Sequence, residues 1–278
     1  MNQLENFVWI NGSLVPASSA YVSVFDHGFV VGDGVFETID INQGKPFAIT
    51  RHLDRLARSA AALCLKCPPK DLLLEACYKV INANKCDRAA LRITLSGGIS
   101  PIGSLRGDAD PTLVIATREV IQRGESENVI VVDWPRNERG ALSGVKSTSY
   151  GENVRALEQA KQQGATEAIF PNTIGNICEG TGSNIFIVKD GSLFTPTLQS
   201  GCLEGVTRAL VIESSKVIEK DFPIEFLEEV DEAFLASTTR PLSPIAKINN
   251  RTLLGTKGPI TKSVINSFNE LVFSNEDP

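Results

Sequence analysis

Two hydrophobic rhythms alternate along this chain, and their interleaving excludes both an all-helical bundle and an all-strand sandwich. Period-two or continuous apolar runs predict strands at 21–25, 35–41, 91–95, 112–117, 128–132, 167–170, 184–188, 193–194 and 232–236. Between them Leu53, Leu56, Ala57, Ala60 and Leu63, with Cys64, recur at helical spacing over 51–65. Similar patterns predict helices over 71–83, 153–163, 207–220 and from 261 to the end. Ser149-Tyr150-Gly151-Glu152 fits a capping box opening the helix over 153–163, with Gly164 as its stop. Gly44-Lys45-Pro46 and Asp190-Gly191 read as turns. The expected class is α/β (α+β) in two domains.

The polar stretch Gln122-Arg123-Gly124-Glu125-Ser126-Glu127 is the best connector, which places a small N-terminal α/β domain at 1–120, a linker at 121–127 and a larger domain at 128–278. With 42% hydrophobic and 22% charged residues, the 278-residue chain can bury a sizeable core. No run approaches the roughly 18 apolar residues of a membrane span, and the start MNQLENFVWING lacks a basic region followed by an apolar one. A net charge of −6 argues against a general nucleic-acid binder, because phosphate backbones demand a cationic face. The expectation is a soluble cytoplasmic protein with no membrane or nucleic-acid partner. Six cysteines then read as free thiols. Cys64-Leu65-Lys66-Cys67 matches a redox or half-zinc spacing, but there is no second such pair and only His27 and His52 could join it. No bound metal is expected.

Four features carry chemistry. Gly28-Phe-Val-Val-Gly32-Asp33-Gly34 is a glycine-dense loop joining two strand-like runs, where backbone can approach something closely. Lys146 lies in an irregular polar segment ahead of a capped helix, and Glu179 in a Gly-rich stretch between two strands. Gly201-Cys-Leu-Glu-Gly205-Val206-Thr207-Arg208 leads into a helix, whose N-terminal amides and threonine hydroxyl suit a phosphate. Each has an ordinary alternative: a solvated lysine, a turn-bonding glutamate, a tight connection. Their information lies in their joint order.

That order resembles the fold-type IV, or class IV, pyridoxal-phosphate enzymes: branched-chain aminotransferases, D-amino-acid transaminases and 4-amino-4-deoxychorismate lyases. The resemblance runs over nearly the whole chain, from Asp26-His27-Gly28 and Gly32-Asp33-Gly34-Val35-Phe36-Glu37 through His52-Leu-Asp-Arg55 and Lys146 to Glu179-Gly and Ser183-Asn184-Ile-Phe. It continues through Asp190-Gly191, Thr195-Pro196, Leu203-Glu-Gly-Val-Thr207-Arg208 and Ser237-Thr238-Thr239-Arg240-Pro. It implies a small α/β domain followed by a larger pseudo-barrel domain, pyridoxal 5′-phosphate as cofactor, and a homodimer. It also implies that Lys146 holds the cofactor as a Schiff base and then shuttles the α-proton, which requires part of its population to be neutral. Glu179 would pair with the pyridine nitrogen. Arg55 would grip the phosphate with Val206, Thr207 and Thr238. Leu203 would pack on the ring face, and Tyr150 would reach the phenolic oxygen side. Tyr150 stands one residue closer to the lysine than in branched-chain enzymes.

The shared machinery serves transamination and lyase action alike. Glu37 after Gly34-Val-Phe resembles the transaminases, whereas Ser237-Thr-Thr-Arg240 departs from the Gly-Thr-Ala-Ala loop of branched-chain enzymes and resembles lyases of the folate route. The loop 96–107 lacks the Arg-x-His pair of D-amino-acid transaminases, so Arg92, Arg106 or Arg240 is the candidate fork for a substrate carboxylate, with Phe36 and Thr239 as further substrate contacts. His27 replaces the arginine usual in Asp-Arg-Gly and is expected to brace its loop. The expected activity is transfer of an amino group between a small amino acid, D-amino acids first, and a 2-oxo acid. The alternatives are the lyase and a non-catalytic cofactor-binding protein, against which the joint presence of Lys146 and Glu179 speaks.

Overall fold

The structure is a computed structural model that describes residues 6–120 and 124–278, in two compact units. The first holds residues 6–120 with Val145–Tyr150 and Asp277. Its strands are β1 (Phe7–Ile10), β2 (Ser13–Pro16), β3 (Gly34–Asn42), β4 (Lys45–Pro46), β5 (Arg88–Ser96) and β6 (Thr112–Arg118). Its helices are α1 (His27–Val31), α2 (Ile49–Ala62) and α3 (Lys70–Ala83). The strands form one antiparallel sheet in the order β2-β1-β6-β5-β3-β4. Asn11-Gly12 and Gln43-Gly44, all at positive φ, close its two tight hairpins, because two-residue turns that match strand twist need left-handed residues. The expected turn at Gly44-Lys45-Pro46 is therefore Gln43-Gly44, with Lys45 and Pro46 already paired to β3.

Alternation along β3 sends Val35, Ile39 and Ile41 into a core with Leu91, Ile93 and Leu95 of β5. The cover is supplied by the stripe Ile49, Leu53, Leu56 and Ala60 of α2, spaced by three or four residues, and by Leu73, Ala76, Cys77 and Val80 of α3. The predicted strand at 21–25 does not form. The sheet edges are held by β2 and β4, and this run is extended chain and turn leading into α1, with Tyr21 80% and Val24 67% exposed. The glycine-dense loop is likewise a helical turn: Asp26 accepts the Gly28 N–H at 2.9 Å as N-cap, and Gly32 ends it in the left-handed region.

The second unit holds residues 124–144 and Gly151–Glu276. Its strands are β7 (Glu127–Val131), β8 (Glu167–Pro171), β9 (Ile177–Gly180), β10 (Asn184–Lys189), β11 (Ser192–Thr195), β12 (Val217–Glu219), β13 (Glu232–Ser237), β14 (Arg240–Ile248) and β15 (Arg251–Thr252). Its helices are α4 (Gly151–Gln162), α5 (Val206–Ser214) and α6 (Pro259–Ser274). The mixed sheet runs β12-β11-β10-β13-β14-β7-β8-β9, with β15 paired to β14. Strand β14 changes partner along its length: Arg240–Pro244 pair with β13, and Ile245–Ile248 with β7. Phe186 and Phe234, both fully buried, stack at 4.9 Å across β10 and β13. Ala156 and Ala160 of α4 pack on Ile130, Ala168 and Phe170.

Of the expected linker 121–127, residues 121–123 lie outside the described residues and Glu127 already opens β7. The helix predicted over 207–220 ends at Ser214. The Ser214 hydroxyl turns back to the Leu210 carbonyl, Ser215 is extended, and Val217–Glu219 pairs with β11. No helix among the described residues is long and apolar enough to cross a membrane.

Candidate active site

In the first unit, β4 covers only Ile41 and Asn42 of β3, so the outer edge of Gly34–Phe36 is open to another segment. Residues 146–148 take it: the Phe36 N–H donates to the Lys146 carbonyl at 2.9 Å and the Thr148 N–H to the Gly34 carbonyl at 2.8 Å. Gly34 is required there, because a Cβ would meet the Leu95 carbonyl oxygen at 2.9 Å and the Thr148 hydroxyl at 3.0 Å. The close approach expected of the glycine-dense run is thus to the protein's own chain. Ser149 donates to the Gly32 carbonyl at 3.1 Å, and α4 begins at Gly151, two residues before the predicted start.

This edge pairing fixes the backbone of Lys146, whose N–H also donates to the Ser59 hydroxyl of α2 at 3.3 Å. Its Nζ lies 4.5 Å from the Phe36 ring centroid, and the Arg92 guanidinium lies 3.8 Å from the same ring. Tyr150 meets Phe36 edge-on at 5.1 Å. Phe36 and Arg92 share a sheet face because Phe36 pairs with Thr94 and Thr38 with Arg92. An amine, a phenol and a guanidinium therefore surround one buried aromatic ring.

The neighbouring Glu37 points to the opposite face and meets α2. Its carboxylate accepts from Arg55 Nε and Nη2, both at 2.7 Å, and lies 2.7 Å from His52 Nδ1; Glu37 is fully buried. Burial alone would raise its pKa, but the Arg55 charge and the hydrogen bonds from Arg55 and His52 hold the carboxyl well below the usual range. Burial in turn pulls His52 down, against the pull of Glu37.

His27 does brace its loop: Nδ1 is 2.7 Å from Asp33 and Nε2 is 2.9 Å from the Gly103 carbonyl. The Asp33 bond, with that carbonyl, raises its pKa. Arg106 forks onto Asp33 at 2.6 and 2.9 Å and onto the carbonyls of Leu63 and Cys64, so this candidate for the substrate carboxylate already holds a carboxylate of its own. Arg240, another candidate, is buried, and its guanidinium ends against Glu127 and Glu167. Arg92 is solvent-exposed and carries no ion pair to a carboxylate among the described residues.

In the second unit Glu179 is part of β9 rather than a loop. Its Oε2 accepts the Leu203 N–H at 2.9 Å, and Arg136 Nε lies 3.5 Å from Oε1. Arg136 also stacks on Phe170 at 4.3 Å. Nothing in its local sequence singled it out; only the folded arrangement brings its charge to Glu179. Leu203 is tied down on its other side, its carbonyl accepting from Asn184 at 2.8 Å. A Cβ on Gly205 would meet the same Asn184 side chain at 2.0 Å, which explains the glycine before α5. The Val206 and Thr207 amides precede the first intrahelical bond, from Ala209 to the Gly205 carbonyl, and both residues are buried. Thr238 and Thr239 form the turn between β13 and β14.

The donor set of each unit thus has a definite chemistry: an amine beside an aromatic ring and a guanidinium in one, and a charge-partnered carboxylate, helix-terminal amides and hydroxyls in the other. The family model for amino-transferase class IV matches residues 34–248, and the chain belongs to this family. Pyridoxal 5′-phosphate is the family's cofactor, and the residues fit it: the amine suits its aldehyde, the carboxylate its ring nitrogen, and the amides and hydroxyls its phosphate. Among similar proteins, one from Methanocaldococcus jannaschii, provisionally named a branched-chain-amino-acid aminotransferase, is 34% identical over 275 residues, covering 95% of this chain and 96% of its own. The D-alanine aminotransferase of Listeria innocua is 32% identical over 289 residues, covering 95% of each. The solved structure of the Escherichia coli branched-chain amino acid aminotransferase superposes with a TM-score of 0.90 at 28% identity, covering 96% of this chain and 94% of that one. The fold is that of the fold-type IV aminotransferases.

Proposed function

We propose that this aminotransferase moves the amino group of a small amino acid, D-amino acids first, to a 2-oxo acid. The observation that carries the reading is the Phe36 cluster, where Arg92 stands over one ring together with the Lys146 amine. Such a cluster can hold an α-carboxylate by a guanidinium while an amine works on the adjacent carbon. The preference for D-amino acids is supported by the similarity to D-alanine aminotransferases and by a Ser237-Thr238-Thr239 turn unlike the Gly-Thr-Ala-Ala loop of branched-chain enzymes.

When bound, the cofactor supplies an aldehyde for the substrate amine and a ring that takes up the electrons released at Cα. Lys146 would hold it and would move the proton at Cα. Glu179, steadied by Arg136 and the Leu203 amide, keeps a proton on the ring nitrogen. Arg55, with its guanidinium plane fixed by Glu37, would be the first unit's ligand to the phosphate, and the amides of Val206 and Thr207 with the Thr207 and Thr238 hydroxyls would be those of the second. Leu203 would pack on the ring, Tyr150 would reach its phenolic oxygen, and Phe36 and Thr239 would face the substrate. Arg92 orients the carboxylate in place of Arg106 and Arg240.

The branched-chain reading has a specific support in the Methanocaldococcus relative and the Escherichia coli structure. A half-reaction titration separates the readings: D-alanine, D-glutamate, L-glutamate and L-leucine are added singly to the yellow holoenzyme while its near-visible absorbance is followed. Bleaching by a D-amino acid, reversed by a 2-oxo acid, is the expected result. Bleaching by L-leucine and L-glutamate alone moves the substrate to the branched-chain class. No bleaching, with release of pyruvate and 4-aminobenzoate from aminodeoxychorismate, makes the protein the lyase.

We also propose a cytoplasmic homodimer. Six free cysteines suit a reducing compartment. Tyr21, Val24, Phe29, Ile102 and Leu105 are 67–80% exposed, on two segments joined by the His27–Gly103 bond, and such apolar exposure marks an association surface. Light scattering at twice the 30.0 kDa chain mass is expected; a monomer at micromolar concentration contradicts it.

A further inference from the structure

Arg240 closes the Ser237-Thr238-Thr239-Arg240 run, and its carboxylate partners belong to the protein. Ser237 and Arg240 pair across a two-residue hairpin whose tip is Thr238 and Thr239. Two-residue turns that match strand twist require positive φ, which β-branched residues resist, and neither threonine has it. The ladder shifts register between Ala236 and Ser237, and a bond from the Ser237 hydroxyl to the Arg240 carbonyl, at 3.2 Å, spans the turn. The backbone preference of this turn therefore does not hold it in place.

A buried triad does. The Arg240 guanidinium reaches Glu127 at the start of β7, with Nη1 at 3.2 Å from Oε1, and hydrogen-bonds Glu167 at the start of β8 through Nη2. Both glutamates are 2% exposed. Glu127 accepts the Thr166 hydroxyl. Glu167 also accepts the amide of Thr181 at 3.1 Å and its hydroxyl, and the Ser183 hydroxyl at 3.4 Å. Thr181 follows Glu179 by two residues, so Glu167 is bonded at once to the turn behind Glu179 and to the strand that begins behind Thr238 and Thr239. Two carboxylates against one guanidinium is a costly way to fill a core, where apolar side chains of similar volume serve stability as well or better.

We propose that Arg240 is a positioning residue: through Glu127 and Glu167 it holds the Thr238–Thr239 turn in register with the turn that follows Glu179, and this sets the grip of the Thr238 hydroxyl on the cofactor's phosphate. The inference rests on the reading that Thr238 contacts that phosphate. It assigns Arg240 to the protein's internal order and not to the substrate.

The test is equilibrium binding of pyridoxal 5′-phosphate and of pyridoxal, which lacks the phosphate, to the apoprotein, followed by fluorescence. Arg240→Lys keeps the charge and loses the fork. It is expected to weaken the phosphorylated ligand about 10-fold, the scale of one charge-assisted hydrogen bond, and to leave pyridoxal unchanged. Thr238→Val is expected to cause a similar loss alone and little more when added to Arg240→Lys, because the hydroxyl is already displaced. Unchanged affinity for both ligands, equal loss of both, or additive effects of the two substitutions overturns the clamp. Should Arg240→Lys not fold, Glu127→Gln carries the same test: a smaller loss confined to the phosphorylated ligand is expected, and an unchanged ratio of affinities overturns it. Wild-type apoprotein that shows no preference for the phosphorylated ligand overturns the phosphate reading itself, and the clamp with it.

Discussion

Replacing Glu37 with glutamine probes the strongest electrostatic constraint in the first unit. The Glu37 side chain is fully buried and meets Arg55 Nε, Arg55 Nη2 and His52 Nδ1, each at 2.7 Å, while the Arg55 side chain is only 5% exposed. Glu37→Gln keeps shape and one acceptor but removes the negative charge that faces the buried Arg55 guanidinium. Removing one partner of a buried pair costs about 3–5 kcal/mol, and the retained acceptor argues for the lower end, about 3 kcal/mol. At about 2–4 °C per kcal/mol for chains of this size, the melting temperature should fall by roughly 6–12 °C at pH 7, read by circular dichroism. The sign of the pH dependence follows from a carboxyl held below its ordinary value. Its stabilisation is present above the unfolded pKa, about 4.3, and is lost as pH falls through the lower folded value. The gap between wild type and Glu37→Gln should therefore close in acid. A loss below about 1 kcal/mol, or a gap that stays constant down to pH 2, would refute the reasoning.

Other predictions concern different elements. Burial pushes the Asp40 carboxyl up to about 6 against the opposing Arg88 charge, so its contribution is lost as pH rises through that value; Asp40→Asn should be more stable than wild type at pH 8 and equal to it below about pH 4 by urea denaturation. His27 is raised by its bond to Asp33, so its bracing is complete below the ordinary imidazole value, about 6.5, and is lost as pH rises through the folded value. Amide exchange near Gly103, corrected for intrinsic rate, should accelerate at alkaline pH, and a pH-independent rate counts against the brace. Gly34→Ala drives a methyl against the Leu95 carbonyl and the Thr148 hydroxyl, and should cost on the order of 2 kcal/mol in unfolding free energy while loosening protection of the 146–148 amides. Arg92→Leu should raise KM for the amino acid at least 10-fold with cofactor affinity unchanged; equal KM values would remove Arg92 from the carboxylate.

Strands β3, β5, β6 and β10 and helices α2 and α3 are legible because each repeats one periodicity over a length that tertiary contacts then satisfy. Strand β14 is not, since Pro241 and Pro244 break the strand pattern. They are tolerated because they fall in the half that pairs with β13 alone, where one edge needs no amide donor. The run Tyr21–Phe25 shows the opposite failure: a good strand pattern that joins neither sheet and instead leads, as extended chain and turn, into α1. Lys146 and Glu179 stand out through their order relative to the glycine motifs, which a linear sequence displays. Arg136 beside Glu179, and the Glu127–Arg240–Glu167 triad, join residues tens of positions apart, and no local pattern encodes such a meeting.

Lys146 is the lysine proposed to carry the cofactor. Holoenzyme reconstituted with pyridoxal 5′-phosphate, reduced with borohydride and digested, should yield one stoichiometric pyridoxyl adduct on the peptide containing Lys146, and none anywhere in Lys146→Ala. A stoichiometric adduct on another lysine, with Lys146 unmodified, would contradict it.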